Sequence, residues 1–247
     1  MMRSFAIKLG AVRVLLGILQ KTPFHPQWFA FFREDIFLRN SCAELGGVVL
    51  DIGCADAKPR NYLPADATYI GIGYNSTATE WYGTRPNIFA DAQVLPLRDG
   101  SVDHVLLLDV LEHLPDPQQC LAEIHRVLRP DGTCTLQVPF VYPIHDVPLD
   151  FHRWTTHGLQ RAAAQHGFGI GTLQAVGQPA ETAALNANIA MSKTVLNWIN
   201  DWNPLALMII VLAFVSLTIN CVAWTAAILS RPDDMMPYAY RMTWFKA

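Results

Sequence analysis

The sequence predicts an α/β fold built around one mostly parallel sheet. Three observations carry this. Short apolar strands alternate with helical segments from about Gly46 to Leu173, the pattern of a parallel sheet rather than of separate α and β layers. The first of these strands ends in an acidic residue and turns at once through glycine, as doubly wound sheets do where they hold ligands. The length of 247 residues supplies one sizeable core with room for one elaboration.

Taken in order, residues 3–21 read as a helix, with Arg3, Lys8 and Arg13 scattered among Ile7, Leu9, Val12, Leu15, Leu16, Ile18 and Leu19, ending before Pro23. No small-residue cleavage site follows, so a removable signal peptide is not expected. The aromatic segment Trp28, Phe29, Phe31, Phe32 and Phe37 leads into a second helix ending near Leu45, and Gly46-Gly47 marks the boundary. Strands are expected at Val48 to Ile52, Thr68 to Ile72, near Ile88, and at Val102 to Leu108, Thr133 to Val138 and Phe168 to Leu173. Helices are expected at Asp116 to Leu128 and at Thr155 to His166, the latter capped by Thr155 or Thr156.

The last third changes character. Residues 205–229 contain no charged residue, and Tyr238 to Lys246 then reads as a strand after Pro237. The expected organisation is an N-terminal helical segment over 1–45, a core over 46–180, an apolar helical insertion over 181–236, and a last strand of the core over 237–247.

Composition excludes several functions. A net charge of −3 and a charged fraction of 16%, with no basic stripe, argue against nucleic acid as a partner. The five cysteines, Cys42, Cys54, Cys120, Cys134 and Cys221, form no Cys-x-x-Cys pair and no zinc-spaced set with histidines, so no metal is expected and the thiols read as reduced, in a cytosolic protein. The hydrophobic fraction of 51% points to a local membrane-contacting part.

The segment Val48-Val49-Leu50-Asp51-Ile52-Gly53-Cys54-Ala55-Asp56-Ala57 is the expected ligand-binding turn. A dinucleotide fingerprint would need G-x-G-x-x-G to hold a pyrophosphate, which Asp56 would repel. Further along stand Ala90-Asp91 before Leu95-Pro96-Leu97, then Asp99-Gly100-Ser101-Val102-Asp103, then Leu108-Asp109-Val110-Leu111-Glu112-His113-Leu114, and then Glu123 to Gly132.

This ordered series, across about 130 residues, resembles the class I S-adenosylmethionine-dependent methyltransferases of the type 11 pattern. The resemblance implies a Rossmann-like sheet of seven strands, mostly parallel, with an antiparallel last strand and an apolar helical insertion before it. It implies S-adenosylmethionine as cofactor, with contacts at Asp51, Gly53 and Cys54 in the first turn. Asp91 would bind the adenine amino group, with Ala92 beside it, while Leu108 and Asp109 flank the cofactor at the end of the fourth strand. Ala55 stands in place of the turn's second glycine. Gly73 stands where the family carries a ribose-binding acid, and Asn75 or Glu80 is the candidate substitute.

The segment Val138 to Thr155, with Pro139-Phe140, His145, Pro148, Asp150, Arg153 and Thr155, resembles methyltransferases associated with surface-glycan biosynthesis. Transfer to a hydroxyl needs removal of a proton, so His145 is the candidate base, oriented by Asp146 or Asp150. The plain structural alternative pairs Asp150 with Arg153 to fix the loop, with His145 as its cap. Glu112-His113 recurs in the family whatever the acceptor, and is read as shaping the pocket.

The function so implied is O-methylation of a glycan or small-molecule acceptor. A catalytically idle, membrane-attached scaffold or binding protein, and methylation of a lipid or quinone, stand as alternatives. Twenty-five uncharged residues would reach about 37 Å as a helix, beyond a hydrocarbon core of about 30 Å. A last strand belonging to the sheet requires both ends of the stretch to return to one side, so residues 205–229 are expected to contact the inner face of the membrane as a hairpin or an interfacial helix.

Overall fold

The computed structural model describes residues 17–247, and most of the helix expected over residues 3–21 lies outside them. The described residues divide into two compact units, one formed by residues 37–176 and 238–247 and the other by residues 17–36 together with 177–237.

The first unit holds a seven-stranded sheet. Its strands are β1 (Val48–Ile52), β2 (Thr68–Gly73), β3 (Ile88–Phe89), β4 (Val102–Leu108), β5 (Leu128–Pro139), β6 (Phe168–Val176) and β7 (Ala239–Lys246). They lie in the order β3-β2-β1-β4-β5-β7-β6. β1 to β5 pair in parallel, and β7 runs antiparallel between β5 and β6. The order reverses between β1 and β4, which puts the switch point, where such sheets bind ligands, at the carboxyl ends of these two strands.

β1 is apolar except for Asp51 because it is covered on both faces. Leu50 and Ile52 pack with Val105, Leu107, Leu136 and Val138 in the main core. Val49 and Leu106 point the other way, against Leu38 and Cys42 of α1 (Trp28–Cys42). α2 (Pro117–Val127) begins where the Asp116 side chain accepts from the amides of Gln118 and Gln119, with Pro117 already lacking a donor. It buries Cys120, Leu121, Ile124 and Val127. α3 (Thr156–Gln165) is capped by Thr155, which accepts from the Gly158 amide.

β5 starts earlier than Thr133. Val102 pairs with Leu128 and His104 with Thr133, so Arg129 to Gly132 bulge out of the ladder, with Asp131 left-handed at φ 63°. β6 extends past Leu173 to Val176 because β7 supplies a partner along its whole length. In β7, Trp244 and Met242 are buried, so the chain's last residues complete the core.

The second unit is helical. α4 (Pro179–Asn200) opens with a capping box in which the Gln178 amide donates to Glu181. A short 3-10 turn, Pro204–Leu207, capped by Asn203, joins it to α5 (Met208–Leu229). The two helices pack together, and the short connection makes them antiparallel neighbours. Val176 lies opposite Ala239 in the sheet, so the hairpin leaves and rejoins the strands at one place. Asn220, in the middle of α5, is buried: its Nδ2 donates to the carbonyls of Pro23 and His25 at 2.8 and 3.1 Å, and its Oδ1 accepts from Asn188 at 2.9 Å.

Candidate active site

The carboxyl ends of β1, β2 and β4 gather most of the residues singled out from the sequence. Asp51 is buried, and its Oδ2 accepts from the Tyr69 hydroxyl at 2.6 Å. Burial pushes its carboxyl up to about 7 against the opposing effect of the Tyr69 bond, and Asp56 raises it further. Gly53 follows with φ 74°, and a Cβ placed there would lie 2.3 Å from Cγ2 of Val110. The turn after β1 therefore abuts the turn after β4, which only glycine permits. Cys54 is buried beside Asp51, and desolvation, then that carboxylate, pushes its thiol up to about 11. The chain keeps this turn without further glycine: Ala55 and Ala57 are left-handed, at φ 40° and 54°.

Gly73 ends β2. A Cβ there would meet Pro86 at 3.1 Å and Ala78 at 3.3 Å, because the segment 77–82 and the chain just after it fold back over the strand end. The missing acid is thus matched by a crowded position. Asn75 is exposed at the start of that segment, and its carbonyl accepts from Thr79. Asp91 is half-buried and accepts from the Gln93 amide at 2.8 Å, next to buried Ala92. Leu108 is half-buried, and Asp109 is exposed, left-handed at φ 53°, with its amide donating to Gln137 at 2.9 Å. The Asp109 carboxylate also accepts from the Gln137 side chain.

The loop after β5 brings His145 to the residues after β4. Its Nε2 is 3.7 Å from Oε1 of buried Glu112, and its ring packs edge-on against those of His113 and Tyr142. Glu112, then Asp150, raise its pKa against the lowering by burial. Asp150 accepts the His145 amide at 3.0 Å and stands 3.3 Å from Nδ1. Both its oxygens also face Arg153, at 2.7 Å for Nη2, which holds the carboxyl well below the usual range. Asp150 is therefore a positioning residue that fixes the loop and the ring together. Asp146 does not orient His145, because it accepts instead from Tyr82 at 2.9 Å. Tyr82, Tyr69, Val110, Gln93 and Gln137 were not marked in the sequence. All but Gln93, which bonds to Asp91 two residues before it, act through a contact distant in the chain, which no local pattern announces.

Residues 50–136 match the model of the family described as a methyltransferase domain. A probable S-adenosylmethionine-dependent methyltransferase of Mycolicibacterium smegmatis is 31% identical over 159 residues, 60% of this chain and 59% of that one. A fatty-acid O-methyltransferase of the same organism is 34% identical over 133 residues, 47% of this chain and 46% of its own. The chain thus spans about half the length of the curated relatives it matches. Among solved structures, a putative sarcosine dimethylglycine methyltransferase from Galdieria sulphuraria superposes with a TM-score of 0.55 over 88% of this chain and 87% of its own, at 15% identity.

The sheet is Rossmann-like, and the segment matched within it is similar to methyltransferase domains that use S-adenosylmethionine. That similarity runs from Leu50 to Leu136. The residues at the strand ends suit that cofactor's charge. Asp56, Asp109 and Asp146 all lie close enough to the Tyr82 hydroxyl to raise its pKa, after burial. Carboxylates so placed attract a sulfonium and an ammonium group and repel a pyrophosphate.

Proposed function

We propose that this protein transfers a methyl group from S-adenosylmethionine to a hydroxyl oxygen of a glycan or other small-molecule acceptor. The observation that carries the reading is the meeting of the Gly53 turn with the Val110 turn at the switch point, with the Glu112, His113 and His145 cluster just beyond it. Asp51, Gly53, Cys54 and Asn75 would hold the cofactor on one side, and Asp91, Ala92, Leu108 and Asp109 on the other. When bound, the cofactor supplies an electrophilic methyl group on a positively charged sulfur.

The chain's own task on the acceptor side is to orient a hydroxyl and take its proton. With Nδ1–H of His145 turned to the Pro143 carbonyl and Asp150, both at 3.3 Å, its Nε2 lone pair is left to accept that proton. The Glu112 carboxylate 3.7 Å away would then face the imidazolium. Removal of His145 should lower kcat roughly 100-fold or more while leaving cofactor affinity within about twofold. The test is transfer of labelled methyl from S-adenosylmethionine to glycan, polyketide and fatty-acid acceptors. Labelled methyl bound to an ether oxygen supports the reading, and cofactor binding without such transfer contradicts it.

An apolar acceptor is favoured by one further observation. Residues 204–229 form a helix long and apolar enough to cross a membrane, and little of it is buried. Ile210, Phe214, Val222, Trp224 and Ile228 are all at least half exposed. This supports placement in the cytoplasm at the inner face of the membrane, where a lipid or quinone acceptor would be available, and the fatty-acid O-methyltransferase relative agrees with a chain-bearing substrate.

A further inference from the structure

Glu112, His113 and His145 present three acceptor atoms to one point. Glu112 is fully buried, and neither of its carboxylate oxygens has a hydrogen-bond partner. Nε2 of His113 and Nε2 of His145 each stand 3.7 Å from Glu112 Oε1, beyond hydrogen-bond reach, and the three atoms lie within 4.8 Å of one another.

The far side of each ring fixes where its proton is. His113 Nδ1 lies 2.9 Å from the Leu149 carbonyl, and His145 Nδ1 lies 3.3 Å from both the Pro143 carbonyl and Asp150. Carbonyls and carboxylates only accept, so each Nδ1 must donate. In a neutral imidazole that leaves Nε2 as a bare lone pair. Two such lone pairs and a desolvated carboxylate facing each other are unfavourable unless something positive lies between them.

We infer that these three side chains bind a divalent transition-metal ion of the zinc class. Two donors each about 2.1 Å from one ion, at a tetrahedral angle, stand about 3.4 Å apart, so the two 3.7 Å spacings to Glu112 close onto an ion with shifts of a few tenths of an ångström, while the two imidazole nitrogens, within 4.8 Å of each other, draw together through movement of the part-exposed His145 side chain. Imidazole nitrogens select zinc-like ions over magnesium or calcium. Hydrogen bonds from the opposite ring nitrogen to a carbonyl or carboxylate are what orient metal-binding histidines. The histidine side chains are 18% and 26% exposed while Glu112 is sealed, so an open coordination position falls on the histidine side. No local spacing announces this set, which joins neighbours after β4 to a residue 32 positions later, so the absence of a metal expected from the cysteines did not bear on it.

Only the ion's place beside the acceptor rests on the methyltransferase reading. There, a hydroxyl filling the open position would lose its proton to solvent at lower pH than when free, and His145 would serve as ligand rather than base.

The full-length protein, stripped by a chelator, is titrated with cobalt(II) as a spectroscopic probe and then with zinc. One cobalt per chain is expected, with visible ligand-field absorption that one equivalent of zinc abolishes. His145→Ala, on a half-exposed loop, and Glu112→Gln, checked for folding by circular dichroism, should each weaken binding on the order of 100-fold. Undiminished binding by folded His145→Ala, sulfur-to-cobalt charge transfer indicating a cysteine ligand, or no binding at all would overturn the inference, and in the last case a proton on a histidine neutralises the cluster. S-adenosylhomocysteine titrated into the same samples reports on the cofactor reading separately.

Discussion

At the scale of single residues the site stands on two unlike choices. Gly53 accepts a backbone that side chains avoid so that the Val110 turn can close on it. Asp51 accepts burial that holds its carboxyl up to about 7. The second choice sets a pH dependence. Between about 4 and 7 the folded state keeps a proton that the unfolded chain has already lost, so stability falls as pH rises through that window, by at most about 1.4 kcal/mol per unit, and levels above it. Thermal melts should show this slope, and Asp51→Asn should flatten it. An unchanged slope in the variant would assign the proton elsewhere. A cationic ligand favours the ionised carboxylate, so cofactor affinity should climb towards pH 7 and the same substitution should remove the climb.

At the scale of elements, β1 and β4 were legible to the residue because each is a mostly apolar stretch bounded by turn residues, and α2 and α3 because their caps are written in Asp116 and Thr155. The bulge at Arg129 to Gly132 and the extension of β6 were not, since each depends on what the partner strand offers. The segment 77–82 was also illegible, and it changes the meaning of Gly73. An aspartate there meets Pro86 and Ala78 before it can reach a ribose hydroxyl. Gly73→Asp alone should therefore fail to tighten cofactor binding, whereas Gly73→Asp with Pro86→Ala should tighten it, by roughly 10-fold if one charged hydrogen bond is gained. Calorimetry of both variants checks this. Tightening by the single substitution would show that the loop yields more readily than its packing suggests.

At the scale of the whole chain, the order of motifs made the class of the sheet readable, because each motif falls at a strand end and strand ends converge at the switch point. The cluster of Glu112, His113 and His145 became visible only once the loop after β5 was placed beside the turn after β4. The exposed α5 hairpin predicts recovery with membranes and release by detergent but not by salt, since apolar area rather than charge would hold it. A tag at the C-terminus should remain on the same side as the catalytic domain in protease protection, because Val176 and Ala239 adjoin in the sheet. Full recovery in the soluble fraction would contradict attachment. The central claim is that the β1 and β4 turns bind the methyl-donor cofactor, and calorimetric titration of the purified full-length protein with S-adenosylhomocysteine tests it most directly. One site per chain is expected, lost in a folded Gly53→Val variant whose side chain occupies the space against Val110. Absence of binding by the native protein, or equal binding by the variant, would contradict it.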